Sequence, residues 1–123
     1  MSELTDLAAN VLNVMGRHGP PQIATLFGLD PQGRMHVAAL ADGEPIDLAR
    51  AMIKRLKLRT IVLAVMDVDE TLVVLHGESG QEHFNRLYAL PTENTQYVLV
   101  SEDLVGATNS NFDNLLGSAR PRR

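Results

Sequence analysis

Thr60-Ile-Val-Leu-Ala-Val-Met66, Asp67-Val-Asp-Glu70 and Thr71-Leu-Val-Val-Leu-His76 follow one another without a break, and they decide how the rest of the chain is read. Positions 61 to 66 are apolar without alternation. A strand of that composition is covered on both faces and belongs at the centre of a sheet. The apolar character resumes at Leu72 to Leu75, so Ile61–Met66 and Thr71–His76 are expected to be neighbouring strands with a polar turn, 67–70, between them.

Leu4, Leu7, Ala8, Val11, Leu12, Val14 and Met15 recur mostly at three- and four-residue spacing, which predicts an amphipathic helix over 3–17. Glu3 and Asp6 suit its positive end, and Gly16, Gly19, Pro20 and Pro21 stop it. Gln22–Leu29 and Arg34–Leu40 read as strands around Asp30-Pro31-Gln32-Gly33, which has Asp, Pro and Gly where a type I turn favours them. A second helix is expected from Ile46 to Leu58, opened by Pro45, with Ile46, Ala49, Met52, Ile53 and Leu56 as its buried stripe. Strands are also expected at Phe84–Leu90 and Tyr97–Ser101. The fold class is thus α+β, with two main helices packed on one mostly antiparallel sheet of five or six strands, in the order α-β-β-α-β-β-β(-β). Element order alone is similar to that of the profilin and roadblock modules, and order does not assign function.

A chain of 123 residues, 45% hydrophobic and 21% charged, is expected to form one domain, over 1–105. Residues 106–123 turn polar and small and read as a partly flexible tail, in which Phe112, Leu115 and Leu116 are able to form a short docking helix. No apolar run approaches the length of a membrane span, and the acidic start does not resemble a secretory signal. With no cysteine, thiolate sites and disulfides are excluded and the cytoplasm is the expected location. A net charge of −4 and 4% aromatic residues disfavour nucleic acid as a partner.

The string Asp67-Val-Asp-Glu-Thr71 after an apolar strand resembles the nucleophile motif of the haloacid dehalogenase-like phosphatases. The resemblance implies Mg²⁺-dependent phosphoryl transfer, with one aspartate attacking phosphorus and the other serving as acid or base. Such an enzyme needs further Ser or Thr, Lys or Arg, and acidic partners from later strands. Here the lysines, Lys54 and Lys57, precede the motif, and Arg86 is the only basic residue after it outside the tail. The segment is therefore read as a turn, or as a surface cation site in which Asp67 and Asp69 point the same way.

A two-residue turn at Ser79-Gly80 would place His76 opposite His83, with Glu78 on the same face, and two imidazoles with a carboxylate are a ligand set for Zn²⁺ or Fe²⁺. Arg50, Lys54 and Lys57 are expected to form one exposed stripe on the second helix that suits an anion or acidic partner. His18 reads as a helix-end residue and His36 as a strand-surface one.

The leading functional expectation is a non-enzymatic, self-associating interaction or assembly module without a cofactor, acting through a sheet edge, a helix face or Phe112–Leu116. Its basis is that the strands at 61–66 and 72–75 are apolar on both faces in a chain small enough to need a second subunit to cover them. The alternative is a small metal-binding protein or metal-dependent hydrolase using His76, Glu78 and His83 or the Asp67/Asp69 turn.

Overall fold

The structure is a computed structural model that describes residues 3–41, 44–66, 72–80, 83–91, 96–102 and residue 116. Its elements run α1 (Glu3–His18), β1 (Thr25–Leu29), β2 (Met35–Ala39), α2 (Pro45–Leu56), β3 (Thr60–Met66), β4 (Leu72–Glu78), β5 (His83–Ala89) and β6 (Val98–Glu102). The strands form one sheet in the order β2-β1-β3-β4-β5-β6, and every neighbouring pair is antiparallel. This is the α+β architecture expected from the pattern, with β6 present as the sixth strand.

β3 and β4, which carry the apolar runs 61–66 and 72–75, lie side by side at the centre, where both faces are covered. In β3, Ile61 and Leu63 face one side with Leu26, while Val62 and Ala64 face the other with Phe27. The helices take one side each. Leu4, Leu7, Ala8, Val11 and Met15 of α1 pack on Phe27, Val62, Ala64, Val73, Leu75, Phe84 and Tyr88. Ala49 and Ile53 of α2 pack on Leu26, Leu40, Leu58, Ile61 and Leu63, and Leu116 joins this second layer. The molecule thus has three layers, with the sheet in the middle. Its central strands are covered from within the chain, so no second subunit is needed for that purpose, contrary to the expectation from their composition.

Each end of α2 follows from local chemistry. Pro45 occupies the first turn, where a missing N–H costs nothing. At the other end Lys57 adopts the left-handed conformation at φ 57°, and the N–H groups of Lys57 and Leu58 both donate to Ile53 O, which satisfies a carbonyl that the helix leaves open. Leu58 then folds inward over Gly28, where an added Cβ would lie 2.5 Å from Leu58 Cδ1.

The β1–β2 hairpin follows its sequence signal closely. Gly33 N–H donates to Asp30 O and Gly33 sits at φ 82°, a conformation that glycine adopts without strain. Asp30 Oδ1 also accepts from the N–H groups of Gln32 and Arg34, so the aspartate closes the turn with its side chain as well as its backbone.

β3 and β4 form the expected hairpin, with Met66 opposite Val73. Residues 67–71, and with them Asp67 and Asp69, lie outside the described residues. At the next hairpin the expected register is corrected. Glu78 pairs with His83 and His76 with Asn85, because four residues, 79–82, connect the strands rather than two.

Candidate functional site

On the α2 side of the sheet, β4 and β5 carry a cluster of polar side chains in an otherwise apolar layer. His76 faces inward because it lies opposite Leu63, and Glu78 because it lies opposite Ile61, both second-layer positions. His76, Glu78 and Asn85 are all buried. His76 Nδ1 is 2.6 Å from Asn85 Oδ1 and His76 Nε2 is 2.5 Å from Glu78 Oε2. The second carboxylate oxygen, Glu78 Oε1, accepts the backbone N–H of Leu116 at 2.9 Å. A doubly protonated ring donates to both oxygens. A neutral ring donates to Glu78 and accepts at Nδ1 when the Asn85 amide presents its NH₂.

Of the sequence-predicted ligand set, the structure brings His76 and Glu78 into direct contact. His83 is on the same face, opposite Glu78, but exposed. Both nitrogens of His76 are engaged by protein partners, and no group of three His, Asp or Glu among the described residues is placed to hold a metal ion. Asn85 and Leu116 complete the cluster. Asn85 enters through the register of β5 and was not legible as a site residue; Leu116, expected only as part of a docking segment whose other members, Phe112 and Leu115, lie outside the described residues, enters through a contact 38 residues along the chain from Glu78.

The cationic helix face is less uniform than its spacing suggests. Lys54 and Lys57 are exposed, but Arg50 is half-buried and its Nε is buried with no hydrogen-bond partner among the described residues. Arg59, between α2 and β3, takes no part in that face. It holds both carboxylate oxygens of Glu3 through Nε and Nη2, at 3.1 and 2.6 Å, and donates from Nη1 to Pro31 O. Thr60 Oγ1 donates to the same carboxylate. Arg59 first, and Thr60 after it, therefore keep the Glu3 carboxyl below its ordinary range.

A second charge pair stands at the β1–β2 hairpin. His36 lies opposite Gly28, which has no side chain, and its Nε2 is 2.9 Å from Asp30 Oδ2. That contact, with the N–H donors of Arg34 and Gln32 and the Arg34 charge, lowers the Asp30 carboxyl to about 2 against the burial that opposes it. His36 is thus a turn-stabilising partner as well as a strand-surface residue.

The two sheet edges are the described places where large apolar side chains remain bare. On β2, Met35 and Val37 are 41% and 52% exposed, and Ile23, just before β1, is exposed as well. On β6, Val98, Leu99 and Val100 are 57%, 47% and 56% exposed. The two edges differ in regularity. β2 matches β1 residue for residue along its length, whereas the β5–β6 register steps from Leu87↔Ser101 to Tyr88↔Leu99 and skips Val100. Such a bulge kinks an edge and interrupts its hydrogen-bonding row. Arg86 lies over the Phe84 ring at 4.0 Å and pairs with Glu102 at 2.6 Å, which anchors the far end of β6.

Comparison with protein-family models, with curated proteins and with solved structures finds no match to this chain. The likeness to profilin and roadblock modules therefore remains one of element order.

Proposed function

We propose that this chain is a small self-associating interaction module. The observation that supports this reading is the pair of bare apolar edges, Met35 and Val37 on β2 and Val98 to Val100 on β6, in a fold whose interior is otherwise closed by its own helices. An edge strand presents unpaired N–H and C=O groups, and natural edges are ordinarily blunted by charge or proline. Met35-His-Val-Ala-Ala39 has no proline, lysine, arginine or carboxylate, and Val98-Leu-Val-Ser-Glu102 has a single carboxylate at its end. Of the surfaces expected for self-association, a sheet edge, a helix face or Phe112–Leu116, the bare apolar residues favour the sheet edge.

Sedimentation velocity from about 10 µM to about 1 mM, a range that spans weak association, tests the reading. A concentration-dependent shift toward dimer or larger species is expected. A strict monomer at the top of the range overturns it.

A further inference from the structure

We infer that two copies of this chain join edge to edge through β2, in antiparallel register about a two-fold axis at Val37, giving one continuous twelve-stranded sheet. The inference rests on the self-association reading and specifies its seam.

Hydrogen-bond parity points to this seam. Leu40 N–H donates to Ala24 O and Asp30 N–H donates to Arg34 O, so the even-numbered residues of β2 direct their backbone groups toward β1. The odd-numbered ones, Met35, Val37 and Ala39, therefore direct theirs to the open edge. These three residues also have exposed side chains, all on the α1 face, since they lie opposite Leu29, Phe27 and Thr25. Among the described residues, one set supplies both the unpaired backbone and the bare apolar row.

Antiparallel pairing of identical strands is self-complementary under a two-fold axis. With the axis at Val37, Val37 meets its own copy and Met35 meets Ala39, and each pair exchanges two backbone hydrogen bonds. The apolar rows of both copies then adjoin on the α1 face, where cross-strand contacts between such side chains are favourable. No like charges meet along the strand, because its only titratable residue, His36, is turned to the other face and held by Asp30. β6 offers a poorer match, with the bulge at Val100 and a carboxylate at Glu102.

The size of the contact sets its strength. A five-residue edge is about 17 Å long, which places the interface at the small end, below about 1,200 Å² in total, where complexes are transient. The expected dimer is reversible, with dissociation in the micromolar range or weaker.

Three variants test the seam. Val37→Lys puts a charge on the axis and is expected to be monomeric throughout the concentration range in which the wild type associates, with an unchanged circular dichroism spectrum. Leu99→Lys, on the other edge, is expected to associate like the wild type. Val37→Cys introduces the only thiol into a chain that has none. At the axis its two copies lie about 5.5 Å apart between Cα atoms, within disulfide range. Diamide, taking two electrons and two protons from the two thiols, is expected to convert it to a covalent dimer. Association that survives in Val37→Lys, or that is lost in Leu99→Lys, overturns the β2 seam and leaves self-association standing. If Val37→Lys does not fold, the cysteine variant decides, and failure to cross-link under conditions where the wild type associates overturns the seam. A monomeric wild type overturns the broader reading instead.

Discussion

His76 Nε2 stands 2.5 Å from Glu78 Oε2, two residues further along the same strand, with both side chains buried between the sheet and its second layer. Alternate residues of a strand share a face, so the pair is set by β4 itself. Its other contacts are tertiary. Asn85 reaches His76 across β4–β5, and Leu116 reaches Glu78 from the C-terminal region.

Removal of the carboxylate is therefore expected to be costly. Glu78→Ala leaves the His76 ring and the Leu116 N–H without their acceptor, a loss of about 3 kcal/mol or more for a buried pair broken on one side. Glu78→Gln keeps an acceptor oxygen and is expected to lose less. Urea unfolding midpoints of the two variants measure the order, and a Glu78→Ala cost no greater than a surface substitution would remove the pair from the structural core.

Leu116 lies in a segment whose composition reads as a polar tail, yet it is buried with Ile53, Leu58, Ile61 and Leu63. Leu116→Ala is expected to destabilise by about 2–4 kcal/mol, the range for a buried leucine truncated to alanine. An effect below about 0.5 kcal/mol, the scale of surface changes, would mean that Leu116 does not belong to the core in solution.

Two glycines of one hairpin are expected to differ. At Gly77 an added Cβ would lie 2.7 Å from the Phe84 ring and 2.9 Å from Leu4 Cδ1, while at Gly80 nothing among the described residues lies within 4 Å. Gly77→Ala is expected to cost about 1–3 kcal/mol through overpacking, because Phe84 and Leu4 are both buried. Gly80→Ala has no such obstacle and is expected to be near neutral. Equal thermal midpoints for the two variants would contradict the packing of Phe84 over Gly77.

The Asp30 carboxyl, held down to about 2 chiefly by His36, makes stability depend on acid pH. Its folded value is below its unfolded one, so the contribution is present above about 4, the ordinary range of an aspartate. It is lost as pH falls through about 2. The wild type is expected to lose more stability than Asp30→Asn between those limits, a difference that cancels the other carboxylates, Glu3 included. Parallel stability profiles for the two proteins between pH 5 and 2 would count against the Asp30–His36 contact.

Much of the fold was legible because it depends on local periodicity. The unbroken apolar run at Ile61–Met66 marks a strand with two covered faces, and β3 is central. The spacing of Leu4, Leu7, Ala8, Val11 and Met15 marks one helical face, and that face is buried. Asp30 to Gly33 marks a turn, and its backbone and side-chain hydrogen bonds close one. For the site, the parity of β4 placed His76 and Glu78 on one face. His83 is on that face too, but opposite Glu78 rather than His76, because the length of the 79–82 connection sets the pairing and the pattern fits either length.

The α+β class, the element order and the central place of β3 and β4 follow from the order of residues alone, since each depends on spacing within about a dozen neighbouring residues. Folding in three dimensions set α1 and α2 on opposite faces and brought Arg59, after α2, onto Glu3. It also decided that Leu116 closes over Glu78 and that bare apolar surface collects at β2 and β6 rather than over β3 and β4. The reason is physical: hydrophobic periodicity states that a face must be covered, but what covers it is set by packing between residues far apart in the chain.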